Sequence, residues 1–332
     1  MIVTAPAPAH HPVMLDRVVQ LLTDAPEGTT VDCTLGAGGH AAAVLTARVA
    51  RYGAAHLVGI DRDALAVDLA ADRLAALPAG ATYDLAKARF DALDEVLDDL
   101  GIHQVAGVVF DLGISSMHVD RAERGFSYRQ EGPLDMRMDP TQGPSAADVV
   151  NTYDQRELVR VLRDYGEERS ADRIARAIVA HRPFSTTTDL AEVVRDAIPA
   201  ALRRTGPHPA TRTFQALRIE VNAELDAFAA ALPRAVDRLA PGGVCVVLAY
   251  HSLEDRIAKR FFVDAATGCS CPPDLPVCAC GRVPTVERIT RKPERPSDDE
   301  LARNPRASAA RFRAVRKLAT EQSTTEPFRA SR

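Results

Sequence analysis

Four short apolar runs constrain the fold of this chain more than any other feature. TTVDCTL (Thr29–Leu35), HLVGID (His56–Asp61), VAGVVFDLG (Val105–Gly113) and GGVCVVLAY (Gly242–Tyr250) are near-continuously apolar. A strand with one wet face alternates apolar and polar residues; an unbroken apolar run is a strand covered on both faces, as in a parallel sheet. TYDLAKA (Thr82–Ala88) is a weaker strand between the second and third of these runs. The segments between them carry helical spacing. DALAVDLAADRLAAL (Asp63–Leu77) opens on an acid, spaces its apolar residues for one face and is followed by Pro78. Strand and helix in alternation make a doubly wound α/β sheet.

The alternation breaks after the fourth strand. From Ser115 to about Pro207 the sequence offers three amphipathic helices, YDQRELVRVLRDYG, ERSADRIARAIVAHR and TTTDLAEVVRDAI, and no strand. Thr187 or Thr188 is expected to cap the last. The chain therefore divides into a discontinuous sheet domain, residues 1–114 and 208–332, and an all-helical insert, residues 115–207. ATRTFQALRIEVNAELDAFAAAL reads as one long helix leading to the fifth strand. TVERITR and ARFRAVRKL alternate and are expected to pair as an antiparallel edge.

The first strand runs into Gly36-Ala37-Gly38-Gly39-His40, a turn that brings bare backbone close to a ligand. A phosphate-binding P-loop needs Lys-Ser/Thr after its glycines, and His40 stands there instead. Gly36, Gly38 and Ala41 fit the dinucleotide fingerprint G-x-G-x-x-G/A, and Asp61 ends the second strand where a ribose-binding acid belongs. Two further acids, Asp32 before the turn and Asp111 at the end of the fourth strand, oppose a pyrophosphate. Three carboxylates at strand ends suit the cationic sulfonium and ammonium of S-adenosylmethionine better than NAD. An NAD-dependent oxidoreductase on the same fold is the rival enzyme. The net charge of −4 over 332 residues gives no global nucleic-acid signature, so any basic surface is local. The chain carries no apolar run of membrane-spanning length and no signal-peptide pattern at its start. It reads as cytoplasmic, with cysteines that are reduced, metal-bound or buried and not in disulfides.

In order along the chain stand HHPVML, DCTLGAGGH, GIDRD, DLGISS, RGFSYRQEGPLDMRMD, YGEERSADRIARAI, HPATRTFQALRIEVNAEL, YHSLEDR and NPRASAARFR. Together, from about His10 to about Lys317, they resemble the bacterial RsmH or MraW family of S-adenosylmethionine-dependent methyltransferases. These modify N4 of a cytidine in the decoding region, at the P site, of 16S rRNA in the small ribosomal subunit. The resemblance implies a class I (Rossmann-like) methyltransferase sheet with a helical, substrate-recognising insert. It places cofactor contacts on Gly38, Gly39, His40, Asp61, Phe90, Asp111 and His118. Met117-His118 stands where relatives often carry Pro-Gln, and Ala88-Arg89-Phe90 where Gly-Asn-Phe is common. Phe90 keeps an aromatic face for adenine. A non-catalytic RNA-binding assembly factor is the alternative outside enzymology, and the oligomeric state is open between monomer and homodimer.

The cytosine amine is a poor nucleophile, because its lone pair is delocalised into the ring. It must be held in line with the methyl and must surrender a proton. Many amino-methyltransferases use Asp-Pro-Pro-aromatic after the fourth strand; here the residues are Asp111-Leu112-Gly113-Ile114. Asp111 is the expected orienter and His251, in YHSLEDR, either the proton acceptor or a helix cap. Tyr250 is placed to stack on the base. In GPLDMRMD, Asp135 and Arg137 alternate with Leu134, Met136 and Met138 in a segment that either lines the cytidine pocket or is pinned by salt bridges. Arg203, Arg204, Arg212 and Arg218 are candidate phosphate contacts. So is the tail from Arg282 to Lys317, where basic residues outnumber acidic ones eleven to five. Cys269, Cys271, Cys278 and Cys280 form C-x-C-x6-C-x-C, which is a zinc site, a reduced proline-stiffened loop or a redox-labile pair.

Overall fold

The computed structural model describes residues 11–203, 208–268, 271 and 280–319. Seven strands form one sheet: β1 (Thr30–Asp32), β2 (Ala55–Asp61), β3 (Ala81–Lys87), β4 (Val105–Asp111), β5 (Leu239–Ala249), β6 (Val286–Arg288) and β7 (Arg311–Lys317). Their order is β3-β2-β1-β4-β5-β7-β6. The pairs β3-β2, β2-β1, β1-β4 and β4-β5 are parallel. β7 runs antiparallel to both β5 and β6, so the expected edge hairpin exists, with its second strand innermost.

Alternate side chains of one strand feed opposite faces. Val108 and Phe110 of β4, Cys245 and Val247 of β5 and Val315 of β7 join Phe228, Leu232 and Phe262 in one core. Val109, Val244, Val246, Leu248, Phe312 and Ala314 join Val18 and Leu22 on the other face. Cys33 and Cys245 are buried small apolar residues of the first core. A deeply buried cation, Arg48 of the helix Gly39–Tyr52, ties that helix to the N-terminal helix Leu15–Asp24 and to the segment leading into β1. Its guanidinium donates to the carbonyls of Leu22, Pro26 and Gly28.

Between β4 and β5 lie helices Ala146–Thr152, Gln155–Asp164, Ala171–Ala180 and Thr187–Ala197. They share a core of their own, with Val149, Leu158, Val161, Ile174, Ile178 and Leu190. Phe214 and Leu217, beyond the expected limit at residue 207, also belong to that core.

Two local expectations are corrected. Thr186, not Thr187 or Thr188, caps the helix Thr187–Ala197 by accepting from Asp189 N–H; Thr187 is buried, and its hydroxyl donates to Gln130 O. The long helix is two, Thr211–Asn222 and Glu224–Asp237, broken at Ala223, which sits at φ 49°. Helix propensity gives no warning of that break, because tertiary contacts make it. Asn222 Nδ2 donates to Met136 O, its Oδ1 accepts from Met138 N–H, and Arg62 donates to Asn222 O.

Candidate active site

Parallel strands bind ligands beyond their carboxyl ends. Here the ends of β2, β1 and β4, adjacent in the sheet, carry Asp61, Asp32 and Asp111. A cleft of about 560 Å³ opens above them. The glycine turn forms its wall. Gly38 has φ 72°, which strains any L side chain, and a Cβ there would crowd Ala70 Cβ at 3.1 Å; at Gly39 it would clash with Pro12 Cγ at 2.5 Å. The first strand ends earlier than its apolar run because the Asp32 carboxylate accepts from Thr34 N–H and turns the chain.

Asp61 lines the cleft with its carboxylate already oriented. Oδ2 accepts from Gly36 N–H at 2.8 Å and Oδ1 from Asp63 N–H at 2.9 Å. Each oxygen keeps a further lone pair for a ligand. Burial raises its pKa against the lowering effect of those two amides. Asp32 is buried beneath the turn and does not line the cleft; burial pushes it up to about 6, with the charge of His40 pulling the other way. Asp111 Oδ1 accepts from the Tyr250 hydroxyl at 2.7 Å, and its Oδ2 lies 3.4 Å from His40 Nδ1. His40 Nε2 bonds the Val13 carbonyl at 3.0 Å. The Tyr250 phenol is raised well above its ordinary value by burial and by the Asp111 charge.

Phe90 lines the cleft and meets Phe110 edge to face, with centroids 5.9 Å apart. His118 is buried in the same wall. Its Nε2 faces Asp63 Oδ2 at 2.9 Å and its ring stacks on Phe126, while Nδ1 has no hydrogen-bond partner within the protein. Burial disfavours a charged Asp63, yet His118 and Arg124 overrule it and hold the carboxyl at about 2. Gly39, His40, Asp61, Phe90, Asp111, His118 and Tyr250 thus meet in one cleft, with Gly38 in the turn behind it.

Other expected residues lie elsewhere. Asp135 and Arg137 are a bidentate pair with each other, at 2.9 and 2.7 Å, and do not line the cleft. That pair pins the segment, with Leu134 and Met136 buried beneath it, while Met138 of the same segment lines the cleft. Arg212 donates to Glu167 O. His251 is the N-cap of helix Ser252–Ala265: Nδ1 accepts from Glu254 N–H, while Glu254 Oε2 accepts from the amides of Tyr250 and His251. Of the basic tail, Arg313 is buried against Asp255, while Arg306 pairs with Asp120 and does line the cleft. Cys269 and Cys278 lie outside the described residues, as does Arg204. Among the described residues no group of three His, Cys, Asp or Glu side chains is arranged to hold a metal ion.

Residues unforeseen in this role also line the cleft: Arg218, Asn222, Glu224 and Glu254. Arg218 was expected at a phosphate; it faces Glu224 at 3.0 Å instead. For the first three the signal lay in RIEVNAEL, where an Asn and two acids stand among apolar residues; Glu254 stands in YHSLEDR.

A parallel sheet with an antiparallel edge pair, a glycine turn and carboxylates at adjacent strand ends define a Rossmann-like methyltransferase. Comparison with known proteins narrows the class. The chain belongs to the MraW methylase family, whose model matches residues 7–318. A relative from Thermobifida fusca (strain YX), named ribosomal RNA small subunit methyltransferase H, is 54% identical over 317 residues, 94% of each chain. A relative of the same name from Renibacterium salmoninarum is 51% identical over 325 residues, 95% of this chain and 96% of the relative. Among solved structures, an rRNA methylase from Streptococcus thermophilus matches with a TM-score of 0.40 and 11% identity, over 92% of this chain and 94% of that one.

Proposed function

We infer that this chain is an S-adenosylmethionine-dependent methyltransferase that modifies N4 of a cytidine in the decoding region of 16S rRNA in the small ribosomal subunit. Family membership and relatives at about half identity over nearly the whole chain support this reading. The single structural observation that carries it is the row of carboxylates at the ends of β2, β1 and β4 beneath one cleft, with Phe90 in its wall.

Bound S-adenosylmethionine supplies an electrophilic methyl group on a cationic sulfur. The protein's residues bind, orient and remove a proton. Asp61 accepts from the ribose hydroxyls, Phe90 covers adenine, and the glycine turn lets backbone approach the methionine portion. His118 offers Nδ1, the ring nitrogen without a protein partner. Asp111, fixed by Tyr250, accepts a hydrogen bond from the exocyclic amine. It turns the nitrogen lone pair toward the methyl and receives the proton as the new bond forms. His251 acts through Glu254 and the start of its helix, as a positioning residue.

The helical segment 115–207 is the part that engages the RNA around the target nucleotide, and Arg212 and the Asp135–Arg137 loop belong to that surface. The target base reaches the cleft only when unpaired or flipped out of a stack. Among the described residues no helix is long and apolar enough to cross a membrane; cytoplasmic action follows from the ribosomal substrate. Radiolabelled methyl transfer to small subunits from a deletion strain, followed by nucleotide mapping, tests the whole reading. Label on a single cytidine N4 is expected; binding of NAD in place of S-adenosylmethionine, or subunit binding without transfer, overturns it.

A further inference from the structure

The helix break at Ala223 brings together an unusual pair. In an unbroken helix Arg218 and Glu224, six residues apart, would point about 120° apart around the axis and lie about 9 Å apart along it, on different faces. With Ala223 at φ 49° they do meet, Arg218 Nη2 lying 3.0 Å from Glu224 Oε2. A non-glycine residue in that backbone region costs on the order of 1 kcal/mol or more, and such strain concentrates at functional sites. Asn222, clamped to Met136 and Met138, and Arg62, bonded to Asn222 O, hold the break in place.

Both side chains line the cleft, each only 11% exposed. Their charges neutralise each other through the one Nη2–Oε2 contact, and part of their hydrogen-bonding capacity is left over. Arg218 Nε and Glu224 Oε1 are buried without a hydrogen-bond partner in the protein. Most buried polar atoms have one, so a donor and an acceptor left over side by side in a ligand cleft mark a contact surface. Its chemistry is selective. An anion arriving at Arg218 meets the Glu224 carboxylate, and a cation arriving at Glu224 meets the guanidinium. What fits is a neutral edge that offers a donor beside an acceptor.

Resting on the methyltransferase reading above, we propose that Arg218 and Glu224 read the Watson–Crick edge of the target cytosine and so determine base specificity. Glu224 accepts from the N4–H on the N3 side, and Arg218 donates to N3 and O2. Asp111 accepts the other N4–H, so both amine hydrogens are held while the lone pair faces the methyl. Uracil presents O4 to a carboxylate and N3–H to a guanidinium, which is repulsive at both positions. Adenine shares the cytosine pattern at N6 and N1, so what the pair separates is cytosine from uracil.

The test uses small subunits from a deletion strain, carrying either cytidine or uridine at the methylated position. Cytidine subunits give kcat and KM; uridine subunits give an inhibition constant as competitors. The wild-type enzyme is expected to methylate cytidine subunits and to hold uridine subunits about tenfold or more weakly. Glu224→Gln, whose amide can donate to O4, should bring that ratio to within about threefold and lower kcat/KM on cytidine by about tenfold or more, with S-adenosylmethionine affinity within about threefold by calorimetry. Arg218→Lys should recover part of the rate lost in Arg218→Met. Equal binding of both subunits by the wild type overturns the proposal without needing any variant to fold. An unchanged ratio in Glu224→Gln, or a parallel loss of donor affinity, also overturns it. No methylation of cytidine subunits by the wild type would instead refute the underlying activity.

Discussion

Replacing Asp61 by alanine tests how the cleft grips its donor. The carboxylate already accepts from Gly36 and Asp63 amides, so its position costs nothing further when a ligand arrives. Two ribose hydroxyls donating to an ionised carboxylate are charge-assisted bonds of roughly 1.5–3 kcal/mol each. Truncation removes both and leaves two amides without their acceptor. A loss of about 3 kcal/mol, or roughly 150-fold in affinity, is a conservative expectation. Calorimetry should compare S-adenosylmethionine with S-adenosylhomocysteine, whose sulfur is uncharged. If Asp61 acts on the ribose, both ligands weaken by the same factor. A loss confined to the cationic donor would mean that Asp61 acts as a distant charge. Affinities within about threefold of wild type for both would refute the ribose assignment. A melting curve run alongside separates this from unfolding.

Other consequences follow from buried groups. Asp32 is raised from 3.8 to about 6, so the folded state binds its proton more tightly than the unfolded state does. That contribution to stability is full below about pH 4 and is lost as pH rises to about 6, amounting to about 3 kcal/mol. Asp32→Asn should therefore raise the melting temperature of the free protein at pH 7.5, while abolishing a decline in donor affinity as pH falls through 6; an unchanged pH profile would sink this. His251→Asn, which preserves a capping side chain, should leave kcat within about threefold, whereas loss of a general base costs about a hundredfold or more. Arg48→Ala leaves three buried carbonyls without their donor and should destabilise by about 3 kcal/mol in denaturant titration, with Arg48→Lys recovering little because one ammonium cannot match the planar fork.

The sheet was legible in the sequence because two-sided burial leaves a one-dimensional trace: unbroken apolar runs for β2, β4 and β5. The place of β7 was only half legible. Alternation announces a strand with two unlike neighbourhoods, and here Phe312 and Ala314 face one core while Val315 faces the other. Nothing in that pattern says which of two edge strands will sit inside, since that depends on register with β5. Arg48 left no trace at all. A cation in an amphipathic helix reads as solvent-facing, and only the carbonyls of Leu22, Pro26 and Gly28 make its burial tolerable.

The site divides along the same line. Residues tied to the sheet's carboxyl ends, Asp61 and Asp111 among them, were legible because topology places every strand end together. Asp135 and Arg137 satisfy each other, and His251 satisfies a helix end; a sequence displays charge but not whether a neighbour has already neutralised it. Arg218 and Glu224 are the reverse case. Their charges cancel through Nη2 and Oε2, brought face to face by the helix break at Ala223, yet Nε and Oε1 stay unbonded. If that break exists to hold the pair, Ala223→Gly should relieve the backbone and stabilise the fold by roughly 0.5–1 kcal/mol, seen as a higher melting temperature, and leave the cytidine-to-uridine ratio intact. A fall in stability would show that Ala223 is not strained in the folded protein, and the argument from strain to function would fail there.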